Sequence, residues 1–192
     1  MKFLYLCLLA GVLSLTACSP AKPEFQSIDL TGADYAQGFD LMDAFGQRRQ
    51  LSDFKGKVVV VFFGFTQCPD FCPTTLNEWV QVKKSLADKG DSLQTIFITL
   101  DPERDTPELL KAYVAGFDPS FIALVPQLDQ LPELAKQFKI YYKKVDTGSA
   151  GHYTMDHSAG TYIYDAQGRL RLYARYGLGP QALSQDIAKL MQ

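Results

Sequence analysis

The chain is short of the residues that usually carry chemistry. Among its 192 residues are four cysteines, two histidines and one tryptophan. It also lacks an excess of positive charge: the formal net charge is −2, and no basic stretch overrides it. That argues against a general nucleic-acid binder. It has no internal repeat and no low-complexity segment, so a solenoid or a tail-like chain is excluded. Its longest leading apolar run, Phe3–Leu15, falls short of the roughly 20 residues needed to cross a bilayer. What remains is ordinary for a folded domain, with 47% hydrophobic and 21% charged residues. The length is enough for a single domain with a real core.

The start reads "MKFLYLCLLAGVLSLTACSP". Lys2 followed by a short apolar run is the pattern of a signal peptide. "LTAC" at Leu15–Cys18 resembles the bacterial lipobox, in which cleavage precedes the cysteine and the thiol carries lipid. One acyl chain anchors only marginally, so a second, amide-linked chain would make the attachment stable. The expected organisation is a leader over 1–17, lipidated Cys18 with a polar tether over 18–27, and one domain over 28–192. Removing the leader takes away Lys2 and leaves 18 basic residues against 21 acidic ones. The expected location is the bacterial cell envelope, anchored to a membrane and facing the periplasm.

On this reading Cys7 leaves with the leader and Cys18 carries lipid. Cys68 and Cys72 are then the domain's only free thiols, in "TQCPDFCPTTL". An exported domain meets an oxidising compartment, where disulfides persist. A bridge closing so small a loop would add little stability, because the benefit grows with loop length. A redox pair and part of a metal site are the stronger readings.

The flanking pattern is α/β. "FDLMDAFGQRRQLSDFKGK" (Phe39–Lys57) predicts a hairpin turning near Phe45-Gly46-Gln47, with Phe39, Leu41, Phe45 and Leu51 apolar. "VVVVFFGF" (Val58–Phe65) and "LQTIFITL" (Leu93–Leu100) predict strands buried on both faces. A helix is expected from about Pro73, with Leu76, Trp79, Val80, Leu86 and Ala87 largely on one face. A second helix has Asp105 or Thr106 as its cap and Pro107 just inside. A short strand over Phe121–Val125 and a helix marked by Leu131, Leu134, Ala135 and Phe138 follow. Residues 146–158 read as a Gly-rich loop, then a hairpin turning at Asp165–Gly168, then a final helix opened by Pro180. The sum is a mixed sheet flanked by helices. The cysteine loop lies at the carboxyl end of a central strand, where open α/β sheets place their sites.

A thiolate at a helix start meets the positive end of the dipole, so its pKa falls. With C-x3-C spacing, a helical turn would put both sulfurs on one face. They could then meet each other or a soft ion such as copper(I) or zinc. A histidine would complete a three-coordinate set. His157, in "MDHSAGTYIYD", borders the sheet near the mouth of the cysteine loop; His152 lies in the Gly-rich loop and is expected to face solvent. In "LDPERDTP", the turn and helix cap account for Asp105, Thr106 and Pro107. Asp101 is left as a candidate to orient a site group from behind it.

Three stretches together carry a specific resemblance: "DFKGKVVVVFFGFTQCPDFCPTTL", "TLDPERDTPELLKAYVAGF" and "DHSAGTYIYDAQGRL". In this order they resemble the Sco/SenC family of copper-handling proteins, from about Phe25 to the C-terminus. The resemblance implies a thioredoxin-like fold with an extra N-terminal hairpin. It implies copper, as Cu(I) or Cu(II), held by Cys68, Cys72 and His157, and an acidic neighbour at Asp101. It implies a membrane-tethered metallochaperone for the binuclear copper site of cytochrome c oxidase subunit II. Such a protein delivers copper, reduces that site's cysteines, or does both, and takes copper or electrons from an upstream donor.

The rival reading is a thiol–disulfide oxidoreductase or a peroxide-defence protein on the same fold. Thioredoxins use C-x2-C with a proline facing the thiols, whereas this chain has C-x3-C and no proline between Pro132 and Pro180. Peroxiredoxins place a threonine three residues before the reactive cysteine; here Thr66 stands two before Cys68.

Overall fold

Val58–Gly64 (β4) and Leu93–Thr99 (β5) lie side by side in parallel, and every residue of both is buried. This follows from composition. The β-branched and aromatic side chains project alternately to both faces, and neither face leaves a polar run for water. The computed structural model describes residues 23–148 and 152–192. The expected leader, Cys18 and the first part of the tether lie outside the described residues.

Around this pair the sheet has eight strands in the order β1-β10-β9-β4-β5-β6-β2-β3. The remaining members are β1 (Ile28–Asp29), β2 (Asp40–Asp43), β3 (Arg48–Gln50), β6 (Ile122–Val125), β9 (Thr161–Tyr164) and β10 (Leu170–Ala174). β6 joins in parallel with β5, and β9 runs antiparallel to β4. Among the described residues, four helices flank the sheet: α1 (Phe71–Ser85), α2 (Pro107–Ala115), α3 (Leu131–Phe138) and α4 (Pro180–Leu190). None of these is long and apolar enough to cross a membrane. α1 packs against α4, and α2 against β6. The expected N-terminal hairpin is β2–β3, and β2 also pairs with β6, so it extends the main sheet.

Several local expectations hold for the reasons given. Thr106 caps α2 by accepting from the Leu109 amide at 3.3 Å, with Pro107 as the first helical residue. The β9–β10 hairpin turns at Asp165–Gly168, where Gly168 takes φ +77°. Leu131, Leu134, Ala135 and Phe138 form the buried stripe of α3.

Three differ. Phe45 sits at the tip of the β2–β3 turn and is exposed, with the Lys111 ammonium 4.3 Å from its ring centre; a turn tip has no facing layer to bury it. α1 ends at Ser85, and the chain bends at Ala87 (φ +47°), which leaves Ala87 exposed rather than on the apolar face. The segment read as a Gly-rich loop contains a strand. Tyr153–His157 (β8) pairs antiparallel with Tyr142–Asp146 (β7) in a separate two-stranded ribbon. Four of the five β7 residues are exposed, so no alternation of apolar and polar residues announces a strand.

The register places the site. Gly64 and Thr99, the last residues of β4 and β5, are partners. Thr161, the first residue of β9, pairs with Phe62 near the same end. The cysteine loop leaves from there, and the ribbon returns to it just before β9.

Candidate metal centre

The loop after β4 is braced from below. Asp105 is fully buried and its carboxylate accepts from the Thr66 amide (3.1 Å), the Thr66 hydroxyl (2.5 Å) and the Thr99 hydroxyl (2.6 Å). Burial raises the pKa of Asp105, against the lowering effect of these hydrogen bonds. Asp105 is therefore more than a turn residue at a helix start: the cap is Thr106, and Asp105 fixes the loop that presents Cys68. The stretch "DPERD" holds more acid than one cap uses, and that surplus is the signal in the sequence.

α1 begins at Phe71, two residues before Pro73, so Cys72 lies in its first turn. Cys72 is fully buried and Cys68 is 8% exposed. Both are free thiols. Gly64 makes room for them: a Cβ there would lie 2.7 Å from Cys72 Sγ and 2.9 Å from the Phe97 ring. The Cys72 amide donates to Cys68 Sγ at 3.4 Å.

His157 ends β8 and is half-buried. Its Nε2 stands 3.9 Å from Cys72 Sγ, and its ring meets Phe65 edge to face at 5.9 Å. Nδ1 lies 2.8 Å from the Ser158 carbonyl. A carbonyl can only accept, so the proton is assigned to Nδ1 and the Nε2 lone pair faces the sulfurs. The two sulfurs and the imidazole nitrogen all lie within 4.8 Å of one another. Beside them opens a cavity of ≈ 320 Å³, lined in part by Phe65, Pro69, Phe71 and Met155.

The two thiols have opposite tendencies. The hydrogen bond from the Cys72 thiol favours the Cys68 thiolate, and, against its burial, the Cys72 and Asp70 amides assist; the Cys68 pKa falls to about 4. The Cys72 pKa is pushed up, by donating to Cys68, by burial and by repulsion from the Cys68 charge. One thiolate, one thiol and one imidazole thus share a small space. Losing the second thiol proton would leave adjacent negative charges with little water to screen them, and a cation between them removes that obstacle. Two soft sulfurs and a nitrogen suit copper or zinc among biological cations.

The other sequence candidates divide. His152 is exposed at the outer end of the ribbon. Asp101, 1% exposed, touches none of the three donors. It accepts from the Tyr153 hydroxyl at 2.7 Å and pairs with Arg104 Nε. It therefore stands behind the strand that carries His157. Gly64, Thr66, Arg104 and Tyr153 are the supporting residues that sequence reasoning passed over.

The family model for SCO1/SenC matches residues 29–192. An SCO2-like protein of Rickettsia prowazekii is 38% identical over 132 residues, covering 68% of this chain and 64% of that protein. ScoI of Bradyrhizobium japonicum, solved with copper bound, is 36% identical with a TM-score of 0.72, covering 80% of this chain and 97% of that one. The apo Sco1 protein of Thermus thermophilus is 34% identical with a TM-score of 0.77, covering 88% and 99%. The thioredoxin-like fold follows from these likenesses together with the mixed sheet, its flanking helices and its extra N-terminal strand pair.

Proposed function

Since this chain belongs to the SCO1/SenC family, we propose that it is a copper metallochaperone, holding the ion between Cys68, Cys72 and His157. The observation that carries this is the convergence of two sulfurs and an imidazole nitrogen within 4.8 Å. Copper is the cargo. Cys68 offers a thiolate already formed, Cys72 gives up its proton on loading, and His157 offers Nε2. Binding therefore releases one proton near neutral pH. The recipient is the binuclear copper site of cytochrome c oxidase subunit II, as the family resemblance implies. Cys18 carries the lipid that holds the domain to a bacterial membrane on the periplasmic side; "LTAC" supports this.

A second reading has an observation of its own. A thiolate at Cys68 beside the Cys72 thiol is equipped to attack a disulfide in the recipient, with Cys72 resolving the mixed disulfide. The near-complete burial of Cys68 slows such exchange with large substrates. Copper titration and redox titration of the same purified protein test the two readings. Tight binding of one copper per chain with slow disulfide turnover is expected. Fast catalytic disulfide or peroxide turnover without copper would overturn the first reading. For the anchor, Cys18→Ala should move the protein out of the membrane fraction, and undiminished membrane association would count against the lipid.

A further inference from the structure

We propose that Arg104 is a positioning residue, which docks the β7–β8 ribbon against the cysteine loop and thereby sets where His157 stands. The inference rests on the three-donor reading of the site and concerns what holds the third donor in place.

The ribbon has no strand pairing with the main sheet. With a period of two, Tyr153, Met155 and His157 share one face of β8. Met155 is buried, and Tyr153 and His157 are half-buried, so this is the face turned to the body. Arg104 grips it at the end away from His157. Its Nη1 donates to the Tyr153 carbonyl at 2.8 Å, and its guanidinium carbon lies 3.6 Å from the Tyr153 ring centre. Stacking and a directed hydrogen bond from one guanidinium are a combination that lysine cannot reproduce.

The same side chain reaches the other half of the site. Nη1 also donates to Gln67 Oε1 at 3.1 Å, and Gln67 immediately precedes Cys68. Nε pairs with Asp101, whose other carboxylate oxygen accepts from the Tyr153 hydroxyl at 2.7 Å. Arg104 thus touches the residue before one donor and the strand that ends in another. Among the described residues, the remaining ion pair between ribbon and body is Lys144 with Glu103, and both are well exposed. A surface pair of that kind contributes little. The two sulfurs are held by β4, α1 and Asp105 and do not depend on this contact. The histidine does.

The test is a double-mutant cycle on the full chain, read as copper(II) affinity by chelator competition. Arg104→Ala should weaken copper(II) by about 10-fold or more, the scale seen when a ligand's supporting hydrogen bond is lost. His157→Ala should weaken it at least as much. The double variant should bind no more weakly than His157→Ala alone, because once the imidazole is gone its position no longer matters. Copper(I), which the two sulfurs still hold, should change far less. In the metal-free protein, Arg104→Ala should speed amide exchange over 153–157 and leave β4 and β5 unchanged. Losses that simply add, or exchange that rises throughout the sheet, would make Arg104 a general strut and overturn the proposal. Unchanged affinity in His157→Ala would remove the three-donor reading itself, a result distinct from failure of the cycle. Tyr153→Phe deletes only the hydroxyl bonded to Asp101 and should give the same pattern at smaller size. It serves as the test if Arg104→Ala does not fold.

Discussion

The β4–β5 pair and the β7–β8 ribbon are both two neighbouring strands at the same metal centre, yet they are built on opposite terms. In the first, every side chain is buried and the strands are locked in the middle of a sheet. In the second, most of β7 is exposed and the pair stands apart from that sheet. The first supplies the base from which both thiols are held, and the second supplies the histidine. The proposed role, in which the site takes up and gives up an ion, would be well served by such a division. Two donors rest on the central strands and α1, while the third rides on a ribbon that has no strand pairing with the sheet and buries mainly Met155, and local opening is easiest where little apolar surface is buried.

This contrast can be broken at its strong end first. Phe97 is fully buried on β5, with its ring 6.0 Å from that of Phe62. Phe97→Ala should lower stability by about 3–5 kcal/mol in denaturant unfolding, as large core truncations do. Next comes Gly64→Ala. The new methyl would overlap Cys72 Sγ and the Phe97 ring, so a loss of about 1–3 kcal/mol is expected from overpacking. Copper binding should weaken with it, because the displaced atom is a donor. Preserved stability with preserved copper affinity would show that the base is softer than its packing implies.

The third prediction concerns pH. The Cys68 pKa is about 4 in the folded protein, far below the 9.0 of an ordinary thiol. A depressed pKa means that the thiolate stabilises the fold. That contribution is complete above pH 9, shrinks as pH falls through the interval, and is gone below about pH 4. The stability gap between the metal-free protein and Cys68→Ser should narrow steadily from pH 8 to pH 5. Alkylation of the native protein at pH 5 should mark Cys68 and spare Cys72. A gap independent of pH would contradict the assignment of the thiolate. The smallest effect belongs to the ribbon. Val145 is exposed on β7, and Val145→Ala should change stability by less than about 0.5 kcal/mol. A loss comparable to Phe97→Ala would mean that the ribbon belongs to the core.

The same division explains what could be read from the chain alone. β4 and β5 were legible because an unbroken apolar run has few alternatives to a buried strand. The helix cap at Thr106-Pro107 and the turn at Gly168 were legible because their chemistry is local. Cys68, Cys72 and His157 could be singled out because the chain has so few sulfurs and imidazoles. The ribbon was hidden, since "YKKVD" has no clear periodicity, the alternation in "YTMDH" is only five residues long, and the two pair through backbone groups that every residue carries. Asp105 was hidden for a different reason. A plausible local role at the start of α2 masked a long-range one, to Thr66 on the cysteine loop. Arg104 gave no signal of its part at the site, because its Asp101 partner three residues away reads as a local turn, whereas Gln67 and Tyr153 lie 37 and 49 residues away.

The first strand has a bearing on how the molecule is presented. Ile28 pairs with Tyr173, one residue from the end of β10, and β10 finishes opposite Thr161, where β9 begins. The chain therefore comes onto the sheet from the side where the two sulfurs and the imidazole gather. Asp186, fully buried in α4, accepts the amides of Gln26 (2.9 Å) and Ser27 (2.8 Å) and pins the point of entry. Just beyond β10, the Tyr176 ring meets Phe71, the neighbour of Cys72. An attachment made through the residues before Glu24 would therefore hold the domain by its cysteine-loop end.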